Sequence, residues 1–430
     1  MHSAAMNSGI KGQSNVPDVK PRIGSTKLAA MAIRDALILA ALVALLLMAA
    51  QPVQGQETVL YDFAGGSDGA NPLSRLTSDG AGNFYGMTQL GGLGYGTVFE
   101  LSPNGSGGWN ETVLYRFCSV LNCTDGAYPK YADLIFDNVG NLYGTTEDGG
   151  ANEYGVVFEL IPVGTNWTET VLYSFWPTDG DGPENGLVMD SAGNLYGTTH
   201  WGGYWEDGTV FELSRSGGGW TEQVIYAVDN NDYGLTGLTM DAAGNIFGAT
   251  YSWVFELSPN GDGGWNPTVL HTFTGAPKDG SGAEGTPVLD KAGNLYGTTT
   301  FGGADGCGVV YKLSPGKKGK WTKKILHSFK SDKDGCVPWA GVVLDAAGNV
   351  YGTTVGGGKY AGGLGTVFEL AAPVGTGTYY KEKILWTFPF GGGWGSSPYD
   401  SLILDSAGNL YGTTAGGGST DNGVVFEVTP

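Results

Sequence analysis

The sequence predicts an all-β chain, a seven-bladed β-propeller with four antiparallel strands per blade, and three observations carry that reading. The motif Asp-x-Ala-Gly-Asn-Leu-Tyr-Gly-Thr-Thr, or a variant of it, opens at Asp79, Asp137, Asp190, Asp241, Asp290, Asp345 and Asp405, 49 to 60 residues apart. Four segments of five to seven residues recur in one order in each copy, mostly rich in the Val, Leu, Tyr, Phe and Thr that suit strands. The second segment is apolar at adjacent positions, as at Leu195 and Tyr196, so its sheet is covered on both faces. Sheets of this period stacked on their siblings make a propeller; a parallel β-helix uses shorter coils, and two sandwiches leave the period unexplained.

Residues 1–55 stand apart as a leader and secretory signal segment, and residues 56–430 form the propeller. Lys20, Arg22, Lys27 and Arg34 precede an apolar run over 36–50, short of the ~20 residues a spanning helix needs and followed by small residues that suit cleavage. Met31 is an alternative start to Met1. A protein secreted or extracytoplasmic at a bacterial envelope is expected, without membrane insertion after cleavage; an uncleaved N-terminal anchor is the alternative.

Within a copy, the first two segments form a hairpin. In "DSAGN" Asp190 accepts a backbone N–H two residues on, and Gly193 supplies the left-handed residue of the turn. Gly197, inside a strand, weakens it unless a backbone or an aromatic ring approaches closely, and its recurrence in all seven copies points to contact between sheets. The last copy ends before its fourth segment, while "ETVLYDF" at 57–63 precedes the first copy. If the fourth segment is outermost, that N-terminal strand completes the seventh blade and locks the ring; if it is innermost, there are seven blades without a lock.

The tandem "DSAGNLYGTT", "GTVFEL" and "WTETVLYSF" resembles the GloVer repeat of the choice-of-anchor tandem repeat GloVer-containing proteins, over essentially 56–430. The resemblance implies a bacterial, extracytoplasmic protein and brings no catalytic residues. Some relatives carry C-terminal anchors, and "FEVTP" shows no such hydrophobic tail.

Charge narrows the partners. With 42 Asp and Glu against 22 Lys and Arg, the net charge of -20 repels phosphate backbones and anionic lipid, which excludes nucleic acid as partner. A monomer binding a glycan or a protein ligand is expected. Four cysteines in an oxidising compartment allow three pairings, of which Cys118 with Cys123 and Cys307 with Cys336 are favoured. Zinc lacks Cys-x-x-Cys spacing, so no metal site is assigned. No cofactor is expected, although the Asp-Gly loops at Asp68, Asp125, Asp179, Asp279 and Asp334 offer oxygens of the kind calcium takes.

No catalytic residue is assigned. His271 and His327 occupy a tyrosine position of the fourth segment, and Glu100, Glu159, Glu212, Glu256, Glu369 and Glu427 recur too regularly for catalysis; both sets read as structural. Function is expected where copies differ. The third copy has the loop "HWGGYWEDG", whereas the fourth has almost none, so His200, Trp201, Tyr204, Trp205, Glu206 and Asp207 are expected to wall a notch with Tyr251 and Trp253. Trp176, Asp179, Asp181 and Glu184 open on the same face, with Trp339, Trp394 and Tyr399 further round. Aromatic rings flanked by carboxylates suit stacking on sugars or a protein hot spot. The function expected is a non-enzymatic binding or scaffold module, with a polysaccharide hydrolase or lyase using loop carboxylates as the alternative.

Overall fold

The structure is a computed structural model that describes residues 56–430 apart from 230, 231, 233, 331, 332, 361 and 376, so the leader lies outside the described residues. Seven four-stranded antiparallel sheets form a ring, a seven-bladed β-propeller. In the second blade the strands are Ile135–Phe136, Leu142–Thr146, Val156–Val163 and Asn166–Ser174, and the other blades follow this order. The first strand is two residues long in every blade, shorter than its apolar segment, because the residues before it turn toward the neighbouring blade. Among the described residues the only helices are two 3-10 turns, and no helix is long and apolar enough to cross a membrane.

The fourth strand is outermost, which settles the closure. Gln56–Asp62 pairs antiparallel with Val424–Thr429, so the seventh blade joins the start of the described chain to its end. Across that seam the Thr413 hydroxyl donates to the Ser74 carbonyl at 3.1 Å.

Each residue of the repeated motif has a task. Asp190 Oδ1 accepts the N–H groups of Ala192 (2.8 Å) and Asn194 (2.9 Å), and its Oδ2 accepts the Asn194 side chain (2.9 Å) and the Tyr196 hydroxyl (3.3 Å). Gly193 has φ of 86°, the left-handed conformation this turn requires. A Cβ on Gly197 would lie 2.4 Å from the Phe211 ring, its cross-strand partner, and 2.8 Å from Leu187. The close approach therefore comes from within the blade, not from the next sheet. Thr198 donates to the Thr236 carbonyl of the following blade at 3.1 Å, while Thr199 meets the Thr209 hydroxyl at 2.9 Å. One threonine ties blades together and the other ties strands together, so both buried hydroxyls are satisfied.

The core lies between successive blades. Phe99, Phe158, Phe211, Phe255, Phe368 and Phe426 are all buried, with Tyr311 in the equivalent place of the fifth blade. Burial of each ring contributes about 1.5–3 kcal/mol relative to exposure. The recurring third-strand glutamates are structural partners, as Glu159 accepts the Tyr143 hydroxyl at 2.6 Å and Glu427 that of Tyr411 at 3.3 Å.

The rim repeats as well. The loop aspartates accept a fourth-strand side chain: Tyr115 OH to Asp125 Oδ2 at 2.8 Å, Tyr173 OH to Asp179 Oδ2 at 2.6 Å. His271 and His327 take the same place against Asp279 (3.0 Å) and Asp334 (3.1 Å). The next blade then sets a glutamate against the aspartate: Glu111 faces Asp68, Glu169 faces Asp125 and Glu222 faces Asp179. Burial, with the adjacent aspartate second, pushes Glu111 up to about 7 and Glu169 and Glu222 up to about 8. In the fifth blade Lys323 replaces this glutamate and its Nζ lies 2.5 Å from Asp279 Oδ1.

Candidate functional site

The segments that enter each blade converge on the ring axis, and their geometry begins with proline against glycine. Pro129 packs on Gly96 and Pro183 on Gly155, where a Cβ would approach the proline Cδ to 2.6 and 2.5 Å. Those glycines have φ of 98° and 89°, so conformation and space both exclude a side chain. Pro72, Pro338 and Pro398 repeat the contact on Gly423, Gly308 and Gly365. The residues after each proline are thereby aimed at the axis. Neighbouring blades pack closely there, since a Cβ on Gly285 of the fifth blade would lie 2.4 Å from the Gly341 nitrogen of the sixth.

Beside this contact lies a pocket on the loop face, lined by aromatic rings and acids. Tyr131, Trp339 and Tyr399 form a triangle with ring centres 5.9–6.3 Å apart. Glu184, Glu284, Asp400 and Asp133 share the pocket with His200. The second blade supplies Tyr131, the sixth Trp339 and the seventh Tyr399, so the triangle spans the mouth.

Its charges are unevenly matched. Arg75 Nη2 lies 3.0 Å from Asp133 Oδ2, and the Arg75 N–H donates to Asp133 Oδ1 at 3.2 Å. Lys130 Nζ lies 3.0 Å from Glu184 Oε1 and 3.2 Å from Glu147 Oε1. Burial opposes the Lys130 charge, but Glu184 and Glu147 outweigh it and raise its pKa. Asp400 is held well above the carboxylate range, first by burial and then by Asp133. Burial raises Asp133 as well, but Arg75 opposes it, so of the two Asp400 is the more strongly raised. Burial, with Glu184 second, pushes Glu284 up to about 7. Burial and the nearby Lys130 lower His200, leaving a neutral imidazole 3.8 Å from Glu184.

The third-blade loop meets the mouth at one end. His200 lines the axial pocket and its ring contacts Trp201 edge-on at 4.6 Å. Asp181 and Trp201 exchange backbone hydrogen bonds of 2.9 Å, and the Asp181 carboxyl is raised by burial, then by Asp148 and Glu147. Tyr204 and Trp205 pair edge-on at 4.6 Å and stand exposed, as does Trp176. Glu206 holds the loop with φ of 64°, and Asp207 bridges back to Gly202. Tyr251 lies instead beside Gly282 and Phe301 of the fifth blade, and Trp253 packs into the core between the third and fourth blades. Trp394 packs on Trp386 at 5.5 Å.

The two cystines are Cys118–Cys123 and Cys307–Cys336. Among the described residues no group of three or more His, Cys, Asp or Glu is placed to hold a metal ion. Sequence reasoning passed over Arg75, Lys130, Tyr131, Asp133, Glu284 and Asp400. The signal that finds all but Glu284 is the stretch after each entry proline, where the copies stop resembling one another: "PLSR", "PKYAD", "PENG", "PWAG" and "PYDS"; in the fifth copy Ala283 stands in place of the proline.

Comparison with known proteins agrees on architecture. No curated protein matches the chain. Among solved structures, a streptogramin B lyase superposes with a TM-score of 0.55 at 11% identity, over 87% of this chain and 97% of that one. Virginiamycin B lyase from Staphylococcus aureus gives 0.54 at 11% identity, over 87% and 99%. At that identity the likeness shows the fold. The Gloeobacter/Verrucomicrobia repeat model matches residues 94–254 and 250–430, and by that match the chain belongs to the Gloeobacter/Verrucomicrobia repeat family.

Proposed function

We propose that this propeller is a non-enzymatic binding module of the bacterial envelope, secreted or extracytoplasmic, whose glycan ligand seats on the loop face at the axial mouth. One observation carries the reading: Tyr131, Trp339 and Tyr399 present flat rings beside Glu184, Glu284 and Asp400. Rings stack on the apolar faces of sugars, and carboxyls bond the hydroxyls around them. The exposed Trp201, Tyr204 and Trp205 extend this surface outward from His200. Two cystines suit an oxidising compartment.

The test is retention of the protein on a panel of immobilised glycans, with new reducing ends measured in parallel. Retention without cleavage is expected. Trp339→Ala is expected to weaken it at least about tenfold, the loss of one stacking anchor, with the melting temperature nearly unchanged. Trp201→Ala and Trp205→Ala are expected to weaken it less. Equal loss of folding and retention would make the rings packing residues.

A second reading, a hydrolase or lyase, draws on Glu284, whose carboxyl near 7 suits proton transfer at neutral pH. Cleavage abolished by Glu284→Gln would replace the first reading with the second.

A further inference from the structure

We propose that the glycan carries a protonated amine, and that this ammonium group seats between Glu284 and Asp400 against Trp339 and Tyr399. The inference rests on the reading of the mouth as a glycan site and names the sugar class, an amino sugar.

The chain itself shows what the mouth accepts. The Lys130 ammonium lies between Glu184 and Glu147, at 3.0 and 3.2 Å, and 5.4 Å from the centre of the Tyr131 ring. This is one cation held by two carboxylates and an aromatic face, on the arc of the second and third blades. Blades five to seven present the same chemistry in Glu284, Asp400, Trp339 and Tyr399. No lysine or arginine of the described residues lines the pocket there. Arg75 is engaged with Asp133 and acts on Asp400 as well, yet Asp400 Oδ2 is buried without a side-chain hydrogen-bond partner. A neutral sugar hydroxyl offers these two carboxyls a donor but no charge. An ammonium group offers both.

An amino sugar fits better than a lysine-rich peptide because Tyr131, Trp339 and Tyr399 are grouped at the mouth, where their faces suit a sugar ring lying over a pocket small enough to take only its ammonium group. Further sugar units would run out over Trp201, Tyr204 and Trp205, which are exposed. Burial favours the neutral form of Glu284 and Asp400 in the free protein, so capture of a cation displaces protons from them.

The experiment is calorimetric titration at pH 6 with a glucosamine oligomer, the N-acetylated oligomer of equal length and tetralysine, using the folded protein. The glucosamine oligomer is expected to bind about tenfold tighter than its N-acetylated counterpart, the effect of one desolvated cation on an aromatic face. Its heat should vary with the ionisation enthalpy of the buffer. Glu284→Gln and Asp400→Asn should each remove the preference while keeping the weaker N-acetylated binding, and the melting temperature of each variant verifies its fold. Equal binding of both oligomers would overturn the amine and leave the glycan reading standing. Binding of neither would overturn both, and tetralysine binding as tightly as the amine would replace the sugar by a peptide.

Discussion

The rim and the axis of this ring both gather carboxyl groups, yet they do so in opposite ways. At the rim the arrangement is copied: Glu111, Glu169 and Glu222 each face an aspartate of the preceding blade, and Lys323 answers Asp279 where the copy changes sign. At the axis the equivalent places change from blade to blade. Arg75, Asp133, Gly186, Gly237, Thr286, Gly341 and Ser401 hold equivalent places after the entry segments, and no two neighbouring charges repeat. A position that every blade shares answers to packing, whereas one that only the whole ring defines is available for a ligand.

Three predictions sharpen or break this contrast. The largest effect belongs to the shared core. Phe211→Ala removes a fully buried ring that also covers Gly197 and is expected to cost about 3–5 kcal/mol, read from the shift of the denaturant midpoint. Glu284→Gln at the axis should leave that midpoint nearly in place. Equal losses would erase the distinction between frame and site.

The next effect is on pH dependence and belongs to the rim. Glu111, Glu169 and Glu222 keep protons in the folded ring up to about 7 to 8, but in the unfolded chain only to the ordinary 4.5. The folded state holds the extra protons between these values. Their contribution is therefore complete below about pH 4.5 and is lost as pH rises through 7 to 8. The turn aspartates Asp137, Asp290 and Asp405 act in the other direction. Although burial opposes it, hydrogen bonds lower their pKa below 3.8, so their contribution is lost as pH falls. Melting temperature is expected to decline from pH 5 to pH 9, and to decline less in the triple variant Glu111→Gln, Glu169→Gln, Glu222→Gln. Glu222→Lys, which copies the Lys323 contact, should also flatten the curve. A wild-type curve already flat would remove the seams from the account.

The smallest effect tests a defect in the copying. Tyr311 stands where the other blades have phenylalanine, and its buried hydroxyl has no partner. Tyr311→Phe is expected to stabilise the ring by about 1 kcal/mol, seen as a rise in melting temperature. A fall would mean that the hydroxyl is satisfied.

The blade frame was legible in the sequence because its parts are local. Asp190, Gly193 and Asn194 settle a turn within five residues, and the spacing of Asp79 to Asp405 counts the blades. The close contact at Gly197 was legible, but its source was not, since only the register sets Phe211 over it. The axial mouth was the least legible. Tyr131, Trp339 and Tyr399 lie far apart in the chain and meet only through ring closure. Trp339 and Tyr399 were visible as aromatics on one face, whereas Arg75, Asp133 and Asp400 belong to no motif. The third-blade loop stood out by composition, yet what places His200 inside and Trp201 outside is an alternation along a short bridge to Asp181.

The pairing of Gln56–Asp62 with Val424–Thr429 also governs the order of assembly. During synthesis the first of these strands emerges some 360 residues before its mate, roughly the separation of the two ends, and at ~5–20 residues per second it waits tens of seconds with a bare edge. Six blades can stack in that interval, but the arc they form stays open and exposes two unpaired flanks. Completion thus falls to Val424–Thr429, whose six residues act as the clasp of the ring.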